Sequence, residues 1–201
     1  MPADEPNEAL QQFEMLSTVV EDIRREIESP TLYRQYVAPD TDRWSKFCVA
    51  MDILEDTLLA IGAYLDGGLG HSEEERYLRF YGLMQAVYIQ EDAIWALWEV
   101  VMETQFEKPD DDSGWMTIRE IRNHSAGHPV ARRTFVVRMS LEQDRVSMIT
   151  DDPQARTSTY GGGKHWGGQL NDLLAGYLRD ANERLSAIAA RVPVKWPLEE
   201  K

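Results

Sequence analysis

The chain has 201 residues, enough for one domain with a core that needs no covalent staples. Its 21 Lys and Arg stand against 35 Asp and Glu, and the resulting net charge of −14 repels polyanions at long range and excludes a protein that coats nucleic acid indiscriminately. The single cysteine, Cys48, excludes an internal disulfide framework and suits a reducing compartment. The acidic opening MPADEPNEALQQ does not read as a signal peptide, and no apolar run reaches the ~18 residues of a membrane span, so a cytoplasmic protein off the membrane is expected.

Residues 7–29 carry Leu10, Phe13, Leu16, Val20, Ile23 and Ile27 at helical spacing, and Pro30 stops the helix before a linker at 31–39. Residues 42–66 repeat the pattern more cleanly, with Trp44, Phe47, Met51, Leu54, Leu58, Ile61 and Leu65, and Gly67-Gly68 supply a C-terminal cap. A third helix is predicted over 73–103. It opens on a capping box, Ser72 with Glu75, and runs a seam of Tyr77, Phe80, Met84, Val87, Glu91, Ile94, Trp98 and Val101. Glu91 thus sits where the seam requires an apolar residue. Either the helix turns it to solvent or it faces an arginine within a site.

Residues 106–113 read as a loop with Ser113 as a cap. A short helix over 114–126 follows, with Trp115, Ile118 and Ile121 inward and Gly127 and Pro129 ending it. The period then becomes two. Phe135, Val137, Met139 and Leu141 fall on one face and Val146 and Met148 alternate likewise, which predicts a β-hairpin inserted at about 133–150. An isolated hairpin is marginal in water, so it should pack on the helices or pair with another chain. Residues 151–163 form a loop whose Gly161-Gly162-Gly163-Lys164 lacks the spacing of a phosphate-binding loop, and no cofactor is expected. A last helix covers 166–192, and 193–201 read as a short extended tail. The sum is a single mainly α domain over 1–201: four long helices in a bundle, one short helix and one hairpin.

The chemistry concentrates in residues 118–130, IREIRNHSAGHPV. Between Ser113 and Ser140 five arginines, Arg119, Arg122, Arg132, Arg133 and Arg138, face one acidic residue, Glu120, in a chain that is otherwise acidic. Arginine forks match phosphate oxygens, and histidine moves protons near neutral pH. Together they suit metal-independent cleavage of an RNA phosphodiester, with histidine handling the proton and arginine the phosphoryl charge. Arg119, Arg132 and Arg133 are candidate phosphate contacts; Trp115 and Trp166 are candidate stacking surfaces or core edges. A competing metal reading uses Glu120, His124 and His128 at i, i+4 and i+8, joined by His71 or His165. It needs a helix continuing through Gly127 and Pro129, so no metal is expected. The RNA reading has its own geometric difficulty: on a continuous helix six residues turn about 600°, which points Arg122 and His128 apart.

Arg122-Asn123, five intervening residues counted from the arginine, and then His128, in an acidic helical bundle with a hairpin and a long helix following, resembles the HEPN superfamily, whose signature is Arg, four to six residues, His. The resemblance implies a four-helix up-and-down bundle and a homodimer that faces two copies of the motif toward each other. In catalytic members it implies metal-independent RNA cleavage in toxin–antitoxin or defence systems, with an antitoxin or other protein as partner. Carried over residue by residue, the site is Arg122, Asn123 and His128; Glu91, from its place on the apolar seam, is a candidate orienting partner. Many toxin members place a tyrosine two residues after the histidine, where this chain has Val130. Other members are non-catalytic interaction or nucleotide-binding modules.

Overall fold

A computed structural model describes residues 7–28, 40–151 and 163–197. The expected linker at 31–39 and Gly161-Gly162 lie outside them. The protein is mainly helical with a small three-stranded antiparallel sheet. Helix α1 (Glu8–Ile27) buries Leu16, Val20, Ile23 and Ile27 as expected, while Leu10 stays 42% exposed and Ala9 takes the inward position. Helix α2 (Thr41–Gly67) is capped by Asp40 Oδ1, which accepts from Arg43 N at 3.1 Å, and it ends at Gly68 with φ 57°. Helix α3 (Glu73–Met102) has both arms of the capping box: Glu75 N donates to Ser72 Oγ at 3.1 Å, and Ser72 N to Glu75 Oε2 at 3.3 Å.

The short helix α4 (Gly114–Arg122) is capped by Ser113 Oγ, and it buries Trp115, Ile118 and Ile121. Its first turn rests on the last long helix, α7 (Leu170–Lys195), backbone against backbone. A Cβ on Gly114 would lie 2.2 Å from the carbonyl carbon of Gly176, and Trp115 N donates to Asp180 Oδ2 at 2.7 Å. Helices α1 and α3 also pack on α7, and α2 packs on α3, around one continuous apolar core.

Residues 134–136 and 145–151 pair antiparallel, as the expected hairpin requires, with Val146 and Met148 buried; the rest of residues 133–169 corrects the sequence expectation. The chain makes a short helix α5 (Pro129–Arg132), strand β1 (Thr134–Val136), a one-turn helix α6 (Arg138–Leu141), β2 (Arg145–Asp151) and β3 (Gly163–Gln169), in the order β1-β2-β3. The strand fails after Val136 because Ser140 winds the chain back: its Oγ donates to Val137 O at 2.6 Å and accepts from Ser147 N at 3.0 Å. The predicted apolar face therefore does not exist. Leu141 is buried, whereas Phe135 is 56% and Met139 74% exposed, and Thr134 points inward instead. Strand β3 was hidden by its glycines, which depress strand propensity. They serve close approach: at Gly167, φ 133°, a Cβ would meet Val146 O at 2.0 Å.

Helix α7 starts at Leu170, later than predicted, because Trp166 belongs to β3. It runs to Lys195, past Pro193, so the extended tail predicted from residue 193 is not found there. Trp196 is 8% exposed, edge-on to Trp44 and Phe47 with centroids at 6.1 and 5.3 Å, and Lys195 Nζ lies 2.9 Å from Glu103 Oε1; these contacts hold the last turn in place. Among the described residues no helix is long and apolar enough to cross a membrane.

Candidate functional site

Helix α4 does not end at Arg122. It widens into a π turn over Asn123–Gly127, closed by His128 N donating to Asn123 O at 2.8 Å. Such one-turn widenings hold one residue more than an α-helix does. Continuing the α spacing of Ile118 and Ile121 would place Ser125 and then His128 on the core stripe. Ser125 is indeed buried, but the extra residue moves His128 to the exposed surface. The i→i+5 closure also sets the His128 backbone one turn above Asn123. Among the described residues no hydrogen bond or ion pair joins the Arg122 and His128 side chains.

Arg122 is half-buried. Its guanidinium carbon lies 3.8 Å from the centroid of Tyr88 on α3, and its Nη1 donates to Asn123 Oδ1 at 3.2 Å. A Cβ at Gly127 would come within 2.9 Å of that Nη1, so glycine there leaves room for the arginine to fold beneath the turn. Arg122 Nε is buried without a hydrogen-bond partner.

Glu91 is 2% exposed, so the apolar seam does carry a buried carboxyl. Its nearest cation is Arg119, not Arg122: Arg119 Nη1 lies 3.2 Å from Glu91 Oε2. That approach does not meet hydrogen-bond geometry, and Oε2 has no hydrogen-bond partner; neither has the neighbouring Trp115 Nε1. Burial pushes the Glu91 carboxyl up to about 8, opposed by Arg119, reinforced by Asp92 and opposed again by Arg122. Glu91 is thus an electrostatic neighbour of Arg122, with Arg119 as its direct partner. Arg119, a candidate for phosphate contact, is committed to this pair. Arg132 and Arg133 are exposed and carry no ion pair among the described residues.

Beside Glu91, Tyr177 on α7 donates to Gln90 Oε1 at 3.0 Å, and Gln90 Nε2 donates to Thr57 Oγ1 at 2.9 Å, a chain of buried bonds crossing from α7 through α3 to α2. Burial, and secondarily the charge of Glu91, hold the Tyr177 phenol well above its ordinary value. Sequence reasoning took Tyr177 only as part of the last helix and overlooked Tyr88. The available signal was the spacing Tyr77, Tyr81, Tyr88, which lies along one face of α3.

His124 has a structural place. Its Nδ1 lies 2.8 Å from Thr134 Oγ1 on β1, its Nε2 lies 3.0 Å from Glu120 Oε1, and Trp166 on β3 meets its ring edge-on at 4.8 Å. Trp166 Nε1 in turn donates to Thr150 Oγ1 at 3.1 Å. The imidazole therefore pins the π turn to the sheet. His124→Ala should cost roughly 0.5–1.5 kcal/mol in chemical denaturation for the lost bond to Thr134, whose hydroxyl keeps Arg132 O at 3.2 Å and Thr150 Oγ1 at 3.3 Å as partners. Among the described residues no three His, Cys, Asp or Glu side chains converge as a metal-ligand set, because His124 turns inward to Thr134 and His128 outward.

Searches against protein-family models, curated proteins and solved structures return no match for this chain.

Proposed function

We propose that the chain is an HEPN-like four-helix up-and-down bundle that cleaves RNA without a metal, as a homodimer in which two Arg122–Asn123–His128 edges face each other. The observation that carries this reading is the π turn, beyond which His128 stands at the surface, one turn from Asn123. In the proposed reaction the 2′-oxygen attacks the adjacent phosphorus and the 5′-oxygen leaves. One His128 takes the 2′-hydroxyl proton, the His128 of the second copy gives one to the leaving oxygen, and Arg122 offsets charge on the phosphoryl oxygens. Asn123 holds Arg122 by its side-chain oxygen. Arg132 and Arg133, exposed beside the turn, are placed to steer the strand despite the overall charge of −14. A protein antagonist of the toxin–antitoxin kind accords with this activity.

The expected result is RNA cutting in EDTA that leaves a 2′,3′-cyclic phosphate or its hydrolysis product. Arg122→Ala and His128→Ala should each reduce cutting at least about a hundredfold, and the double variant should lose little more, since both act on one transition state. His128 is exposed, so its variant should keep wild-type stability. A second reading, a non-catalytic RNA- or nucleotide-binding module on the same fold, is favoured by the engagement of Arg122 with Tyr88 and Asn123. Undiminished cutting by His128→Ala, no cutting by wild type, or a monomer in light scattering at micromolar concentration leaves that module as the better reading.

A further inference from the structure

A recess of about 370 Å³ opens beside the π turn, walled by Tyr77 and Tyr81 of α3, Phe135 of β1, Arg138 of α6, Ser125 of the π turn and Pro129 of α5. We propose that this recess holds one unpaired base of an RNA strand whose backbone runs along the Arg122–His128 edge. The inference rests on the proposed RNA reading and adds a base-binding subsite to it.

Three observations select the occupant. First, the aromatic side chains are unusually open. Tyr81 is 41% and Phe135 56% exposed, and the Tyr77 and Tyr81 rings lie 5.9 Å apart with 36° between their planes. Exposed rings beside a polar wall suit the π-face of a base, which every nucleotide offers. Second, the rim is cationic in an acidic chain. Arg138 is largely exposed and its only carboxylate partner among the described residues is Glu73, at 3.3 Å and equally in solvent. Such a pair is weak, so a phosphate can displace Glu73. Arg132 and Arg133, both exposed, come three and four residues after Pro129. Third, the recess and the motif share a wall. Pro129 is the residue after His128, and Ser125 lies within the π turn. A base lodged there leaves its sugar and phosphate next to the exposed imidazole. The space takes a single base and excludes a duplex, whose bases are stacked and paired, so single-stranded RNA is the class of ligand.

The test uses the full chain and a short single-stranded RNA with 2′-O-methyl groups, which cannot be cut by 2′-hydroxyl attack. Binding is read by fluorescence anisotropy against the same oligonucleotide carrying one abasic position. Wild type should bind the intact strand, and Tyr81→Ala and Phe135→Ala should each weaken it roughly tenfold, whereas Tyr81→Phe should not. The best-placed abasic position should weaken wild type by a similar factor and the alanine variants hardly at all. Equal binding by wild type and both alanine variants overturns the proposal. So does light scattering in which these variants convert a dimer to monomers, because the rings are then covered by a second copy. Ring-dependent binding without any cutting of ordinary RNA supports the subsite and sinks the nuclease reading. Cutting that ignores both rings does the reverse.

Discussion

Glu91→Gln is expected to stabilise the protein at alkaline pH by on the order of 2–4 kcal/mol and to have little effect near pH 4. An ordinary glutamate, with a value near 4.5, loses its proton in the unfolded chain, but in the fold burial raises the Glu91 carboxyl to about 8. Between those values the native state binds a proton that the unfolded state does not. Stability is then fully present below pH 4.5 and lost as pH rises toward 8, by up to about 1.4 kcal/mol per pH unit. Glutamine keeps the shape of the neutral acid and cannot ionise, so its denaturation midpoint should stay flat over the window in which wild type declines. The nearby Arg119 works against this, because it favours the charged form. Urea titrations at constant ionic strength across pH 4–9 decide the matter. A glutamine variant less stable than wild type at pH 9 means that Glu91 stabilises the fold as an anion, and the burial argument fails.

Gly114→Ala is expected to lose more than about 3 kcal/mol, because the added methyl meets a neighbouring backbone. Its carbon would lie 2.2 Å from Gly176 C and 2.4 Å from Gly176 O, and no side-chain rotation relieves a clash with main chain. Helix α4 would have to lift from α7, breaking the Trp115 N to Asp180 Oδ2 bond and opening the core around Trp115. Gly176→Ala should be milder: its Cβ would approach only Gly114 Cα, at 3.2 Å. Thermal melts of the two variants should therefore differ clearly in midpoint. Equal, near-wild-type midpoints would show that the two helices slide freely.

Helices α1 to α4 and α7 were legible because their apolar residues repeat every three to four positions and their caps are local: Asn7, Ser72 and Ser113 act where the sequence puts them. The sheet was not. Alternation at residues 135–141 promised a strand, but the hydroxyl of Ser140 competed for the backbone, and the third strand was written in glycines whose use appears only against β2. At the site, the anomalous Glu91 was visible as a carboxylate on an apolar seam, yet spacing alone could not decide between Arg119 and Arg122, one helical turn apart. The spacing of Tyr88 with Tyr77 and Tyr81 put it on a shared face but did not reveal its partner, because cation–π contact depends on where Arg122 folds, which the glycine at 127 permits.

The π turn has a further consequence for how this chain can change. It works as a one-residue bulge between helical stretches held by separate contacts: Ile118 and Ile121 before it, and His124 inside it, tied to Thr134 and Trp166. The orientation of residue 128 therefore depends on how the turn is wound more than on any one identity within it. Deleting one residue there would remove the surplus and leave the chain that follows in its present phase, with the imidazole still at the surface. Rewinding the same five residues as ordinary α-helix would instead turn the imidazole toward the core stripe, so substitutions that favour α winding act on the site more strongly than a one-residue loss.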